Sequence, residues 1–335
     1  MSNIIYVDKI KNWTIKILKI IISLSLMAYL LYKNDWKYII IKITSIETSP
    51  VLYALLLIAV IIPVLASLRW KILVQSEKNI TFMDIIKLSY TGLFFSLILP
   101  GSVGGDAIKG ALFYKKTGNG ALATGSIILD RIIGLIGLTI LSALASVVYY
   151  NITSDLSFSL EAGGFLIILI LSMVFFSLVS IQEFFLSILS RLKLEKLKTF
   201  TKRNFDYLSW LKNHPKILLY TLGISFLMQS TGIYACFLAG NALGIHVSIG
   251  YYFLFIPIIS LIASLPISIS GIGVRESSFV YFFAKVGVPQ AESMALSLIF
   301  FSLGAISGLA GGIIYTLSSF EPVIDLSKQK MVNSE

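Results

Sequence analysis

Six stretches of this chain are predominantly apolar and at least 20 residues long: 13–32, 51–70, 121–149, 164–185, 217–238 and 293–318. A bilayer core about 30 Å thick takes roughly 20 such residues as a helix, so each stretch is long enough to span it. Composition points the same way, with 56% hydrophobic and only 13% charged residues in 335. A soluble domain needs roughly 25% charged residues to cover its surface. The chain is therefore expected to be an all-α polytopic membrane protein. The first apolar stretch lacks a small-residue cleavage site and is followed by more spans, so no cleaved leader is expected.

Two further apolar regions, 84–114 and 249–286, are interrupted. Pro100, Gly101, Gly104 and Gly105 break the first, and Pro266, Gly271 and Gly273 break the second. The pieces beside each break run about 14–18 residues, short for a span and typical of re-entrant segments. Each region is read as a hairpin of two half-helices that enters the membrane and returns. Two full crossings each, giving ten spans, remain the alternative on hydropathy alone.

Basic residues set the orientation. With the N-terminus inside, the stretches 1–12, 69–83, 101–120, 186–216 and 319–335 carry 18 Lys and Arg, against three in the external stretches. That bias follows the positive-inside rule and places both termini in the cytoplasm of a plasma membrane. The net charge of +10 then belongs to cytoplasmic loops facing anionic lipid, and nucleic acid is not expected as a partner. The stretch 186–216 reads equally as an amphipathic helix on the inner leaflet or as a solvated linker.

The interrupted regions also resemble each other. Leu99-Pro100 with Gly104, Gly105 and Asp106 has its counterpart in Leu265-Pro266 with Gly271, Gly273 and Glu276. The spans before and after them recur at a similar offset and in opposite orientation. Residues 1–150 and 160–320 are thus read as inverted repeats, with 321–335 a cytoplasmic tail. Secondary transporters built this way bind their cargo where broken helices meet near the midplane.

Ionisable residues inside a membrane are costly and are functional candidates by default. Here they are Asp106, Lys109, Asp130, Arg131, Arg275 and Glu276. The first two open the second half-helix of hairpin one, and the last two occupy the same place in hairpin two. A half-helix N-terminus presents free N–H groups and partial positive charge, which suits a phosphate. Glycines there (Gly104, Gly105, Gly271, Gly273) let a ligand approach the backbone. The basic members could meet a lipid phosphate, and the acids could hold a cationic headgroup, a proton or sodium. Local helix capping and ion pairing account for the same residues without any ligand. Lys16, Lys19, Lys87 and Lys285 are expected to reach back to the interface.

Catalytic readings fail. The run from Gly101 to Gly110 lacks the Gly-Lys-Ser/Thr of a nucleotide-binding loop. His214 and His246 fall on opposite sides of the membrane, Cys236 is the sole cysteine, and no serine sits in a nucleophile elbow. No catalytic residue, metal ligand or cofactor is expected, and the chain is not expected to be an enzyme.

Four runs carry a family resemblance: Leu68-Arg69-Trp70-Lys71, Pro100 through Asp106, Asp130-Arg131-Ile132-Ile133-Gly134-Leu135, and Gly271-Ile272-Gly273-Val274-Arg275-Glu276. Together, and in this order, they resemble the lysylphosphatidylglycerol synthase transmembrane family, the flippase-like membrane half of the multiple peptide resistance factor. The resemblance covers about residues 12–320. It implies a bacterial or archaeal protein that moves a phospholipid or a polyprenyl-linked lipid between leaflets. Only fifteen residues follow Phe320, so the cytosolic aminoacyl transferase of two-part members is expected to be missing. The alternative is a non-transporting subunit that anchors or regulates a separate lipid-modifying enzyme or envelope glycosyltransferase. The sequence leaves such an enzyme, and a homo-oligomer, open as partners.

Overall fold

The computed structural model describes residues 36–99, 104–153, 214–264 and 271–318, together with positions 25 and 268. Among these residues there are nine helices and no strand. They are α1 (Trp36–Thr44), α2 (Thr48–Leu73), α3 (Phe82–Ile98), α4 (Gly104–Thr117), α5 (Gly120–Thr153), α6 (Pro215–Ala242), α7 (Ile249–Ser264), α8 (Val274–Ala284) and α9 (Gln290–Leu317). Four of them, α2, α5, α6 and α9, carry apolar stretches of 26 to 29 residues and can cross a bilayer. Side chains such as Leu52, Leu56, Val147, Leu219, Leu309 and Leu317 are exposed on their flanks, which only lipid would tolerate at this density. The chain is an all-helical polytopic membrane protein. The expected spans 13–32 and 164–185, and nearly all of 186–216, lie outside the described residues.

The interrupted regions form two pairs of short helices, α3 with α4 and α7 with α8. With 17, 14, 16 and 11 residues, these helices are roughly 26, 21, 24 and 16 Å long at 1.5 Å per residue. Each is shorter than the hydrocarbon core of about 30 Å. Glycine closes the first pair: a Cβ on Gly105 would stand 2.1 Å from the Gly92 carbonyl oxygen. It likewise lets α9 lie on α3, where a Cβ on Gly311 would meet the Tyr90 carbonyl oxygen at 2.0 Å.

Each pair is clasped by long helices that precede or follow it in the chain. Helix α4 rests on α5 and α8 on α9, while α3 packs on α9, α7 on α5, and α2 on α6. Two apolar cores result. One gathers Trp70, Leu73, Ile85, Leu88, Phe113, Leu129 and Ile133; the other gathers Ile233, Cys236, Tyr252, Phe255, Phe279, Phe283 and Leu296.

The stretch 33–50, between the first two apolar stretches, contains α1. Its nine residues are amphipathic, with Ile39 buried and Ile40 and Ile41 exposed. A tether on one side adds to this, since Lys42 Nζ lies 2.9 Å from Glu292 Oε1 on α9. A helix this short falls below the length at which apolar periodicity stands out.

Helix α2 carries a π-helical turn at Leu57–Ile61. Pro63 lacks an N–H and so cannot serve the Ala59 carbonyl four residues earlier. The Tyr90 hydroxyl of α3 donates to that oxygen at 2.6 Å instead.

Candidate functional site

Five charged side chains meet between α2, α4 and α5, with α6 closing one side. Arg69 lies near the end of α2 and is almost fully buried. Its Nε donates to Asp130 Oδ1 at 2.7 Å, and a terminal nitrogen donates to Ser225 Oγ of α6 at 3.0 Å. Ser225 in turn donates to the Ile133 carbonyl at 3.2 Å. Gly134 faces the guanidinium, and a Cβ there would sit in ordinary contact with it at 3.5 Å. Arg131, the next residue after Asp130, points about 100° further round α5. It therefore serves α4, with Nε donating to Asp106 Oδ2 at 2.5 Å.

Lys109 lies one turn beyond Asp106 and is 7% exposed. Its ammonium stands 3.7 Å from the centroid of the Trp70 ring. The ring is held in that pose by its own N–H, which donates to Ser126 Oγ at 3.0 Å. A desolvated cation over indole gains about 2 kcal/mol, well below the cost of burying a lone charge. Among the described residues, Lys109 Nζ has no hydrogen-bond partner, so its charge is answered only by the ring and by the fields of Asp106 and Asp130.

Counted along the axis at 1.5 Å per residue, Lys109 sits about 12 Å from the end of α4 and Asp130 about 15 Å from the start of α5. This cluster is thus roughly half a hydrocarbon thickness from the loop joining those helices.

The second hairpin is built otherwise. Gly271 and Gly273 take φ values of 76° and 82°, which only glycine adopts cheaply, and so turn the chain sharply into α8. Glu276 is fully buried and folds back on that turn, its Oε2 accepting from the Gly273 N–H at 2.6 Å. Its Oε1 accepts from the adjacent Arg275 guanidinium and from Ser297 Oγ of α9. Arg275 also stacks on Phe301, with 4.3 Å from its guanidinium carbon to the ring centroid.

The six candidate charges make their contacts in two groups. Asp106, Lys109, Asp130 and Arg131 share one, together with Gly104 and Gly105 at the start of α4. Arg275 and Glu276 share the other with Gly271 and Gly273. Asp130 and Arg131 pair outward with different helices, not with each other. Sequence reasoning missed Arg69, Trp70, Ser126 and Ser225. Arg69 and Trp70 sit at a span terminus, where an Arg reads as an orientation signal, and the two serines are unremarkable in a span until a partner is placed beside them.

The family model for the lysylphosphatidylglycerol synthase TM region matches residues 16–312 of the chain. The chain is also similar to the UPF0104 membrane protein MJ1078 of Methanocaldococcus jannaschii. The two are 22% identical over 212 residues, which cover 62% of this chain and 86% of that protein. No solved structure matches the chain at a significant level.

Proposed function

Because the chain belongs to the lysylphosphatidylglycerol synthase TM-region family, we propose that it is a flippase-like lipid transporter. It moves a phospholipid or lipid-linked headgroup between the leaflets of the plasma membrane. The observation that carries this reading is the ionic cluster of Arg69, Asp106, Lys109, Asp130 and Arg131 among apolar spans, with Arg69 and Lys109 buried and the other three partly so. Charges at that depth cost several kcal/mol each unless paired, and where they occur in spans they mark pathways more often than scaffolding.

The inverted-repeat architecture belongs to the same proposal. Its support is a correspondence of packing. The pairs α2–α3, α3–α4, α4–α5 and α2–α5 answer to α6–α7, α7–α8, α8–α9 and α6–α9, and α3–α9 answers to α7–α5. In this reading the hairpins are re-entrant, both termini are cytoplasmic, and the cargo is moved without being chemically changed.

The test is leaflet exchange by the purified protein in phosphatidylcholine vesicles carrying fluorescently labelled phosphatidylglycerol. Dithionite bleaches only outer-leaflet label, so transport appears as bleaching beyond the outer-leaflet fraction seen in empty vesicles. Bleaching equal to that of empty vesicles removes the transport reading and favours the anchoring-subunit alternative.

A further inference from the structure

We propose that Lys109 is the seat of a single lipid phosphate, a phosphodiester monoanion held in the first hairpin. This deepens the transport reading and rests on it. Among the described residues, the charges around the site are three cations, Arg69, Lys109 and Arg131, and two anions, Asp106 and Asp130. Both anions are spoken for by short hydrogen bonds from the two arginines. The remainder is one positive charge, and it resides on the one ammonium of the group that lacks a hydrogen-bond partner among the described residues.

A buried cation in that state is stabilised by an anion that comes to meet it. The same arithmetic disfavours a cationic headgroup in this seat, because each carboxylate charge is already met by an arginine. The size of the missing charge selects the ligand class. One net positive charge matches a phosphodiester, whereas a phosphomonoester dianion would leave an excess negative charge in a poorly solvated space.

The surrounding groups suit an oxygen-rich anion. The Lys109 ammonium has three N–H donors, and the Trp70 ring covers one side of it. Helix α4 begins with Gly104 and Gly105 one turn before, so its free N–H groups and dipole reinforce a negative ligand. On α3, Gly92 packs against Lys109 Cβ, and Ser89 lies three residues away on the same face. The Ser89 hydroxyl is buried and lacks a hydrogen-bond partner. It is a second donor that the described structure leaves unused.

The experiment measures binding of monomeric dihexanoyl phosphatidylglycerol to the full chain in a neutral maltoside, with dihexanoylglycerol and inorganic phosphate as separate arms. Lys109→Met should weaken the phospholipid at least about tenfold, the scale of a lost hydrogen bond to a charged group. Lys109→Arg should restore most of the affinity. Dihexanoylglycerol should bind weakly to all forms. Asp106→Asn, which raises the cluster to two net positive charges, should tighten phosphatidylglycerol.

Without lipid, Lys109→Met should melt no lower than the wild type, because it removes an unanswered charge and leaves two matched pairs. A collapse in its melting temperature would show a structural lysine and overturn the proposal. So would unchanged phospholipid affinity in Lys109→Met, or an Asp106→Asn loss as large as that of Lys109→Met. Inorganic phosphate bound as tightly as the phospholipid would overturn the lipid assignment. Leaflet exchange that survives with no Lys109-dependent binding removes this inference and keeps the transport reading. Lys109-dependent binding with no leaflet exchange does the reverse.

Discussion

In the first hairpin the charges of α4 reach across to other helices: Asp106 to Arg131 on α5, and Lys109 to the ring of Trp70 on α2. In the second, Glu276 of α8 turns inward to its own N-terminal turn and its own neighbour, with Ser297 of α9 as the one partner from another helix. The packing differs in the same sense. Phe255, Phe279, Phe282 and Phe283 stack into an aromatic core between α7 and α8. The α3–α4 pair instead closes on glycine, with its polar residues at the seam. Contacts that bridge helices change when those helices shift, whereas contacts inside one turn persist. By this comparison the first hairpin is expected to respond more than the second when helices shift, although Arg275 also crosses to Phe301 of α9.

The sharpest way to break the comparison is to remove the two acids. Glu276→Ala removes a fully buried acceptor, leaving the Gly273 N–H without it and the Arg275 guanidinium with Ser297 Oγ alone. Removing one member of a buried ion pair costs about 3–5 kcal/mol. Asp106 and Arg131 are each more than a quarter exposed along the side chain, and such a pair is worth about 1 kcal/mol or less. Unfolding of the two variants in detergent should therefore separate clearly, with Glu276→Ala far the less stable. Equal losses would mean that the hairpins do not differ in the way described.

A smaller effect sharpens the contrast between the spans that precede the hairpins. Helix α6 runs unbroken for 28 residues, while α2 is interrupted by the π turn ahead of Pro63. Tyr90→Phe removes the side-chain donor to the Ala59 carbonyl, which should cost about 1 kcal/mol. In a Pro63→Ala background the helix regains a backbone N–H for that carbonyl, and the Tyr90→Phe cost should fall towards zero. A double-mutant cycle by thermal unfolding measures the difference. An unchanged cost in the alanine background would show that the hydroxyl acts elsewhere.

Much of this organisation can be read in the sequence where one residue type repeats over a long distance. The runs 51–70, 121–149, 217–238 and 293–318 each fall within, or one residue beyond, a long helix, because an uninterrupted apolar run is itself the physical requirement for spanning. The breaks that follow Pro100 and Pro266 could be read because proline with glycine close behind it punctuates a helical pattern. The Arg275–Glu276 pair is legible for a simpler reason, since its members are neighbours in sequence. Arg69 and Asp130 are 61 residues apart, and Arg69 and Ser225 are 156 apart. Nothing local fixes those pairings, which arise only when α2, α5 and α6 pack together. Helix α1 was hidden for the opposite reason: nine residues with one buried stripe resemble a loop rich in isoleucine.

The smallest expected effect lies at the mouth of the first hairpin, where α3 begins and α4 ends. Asp84 accepts from the Thr81 N–H at 2.9 Å and from the Thr81 hydroxyl at 2.7 Å, and its other oxygen lies 2.6 Å from Lys116 Nζ. Partial burial pushes the Asp84 carboxyl upward, but the Lys116 ammonium and the Thr81 donors outweigh it and hold the pKa down at about 2, against 3.8 unperturbed. A carboxyl lowered on folding contributes stability that is complete above its unfolded pKa and fades as pH falls towards its folded one. The contribution should therefore be intact above about pH 4 and nearly gone by about pH 2. The exposed lysine also makes it sensitive to salt. Helix α7 opens the second hairpin with no acid in its first turn, so no matching loss is expected there. Unfolding of the wild type and of Asp84→Asn, compared across this range, isolates the contribution. The gap between them should close as pH drops, because protonated Asp84 and asparagine are then alike in charge. A gap that stays constant to pH 2 would show that the first hairpin is pinned by packing as the second is, and the contrast at their mouths would not hold.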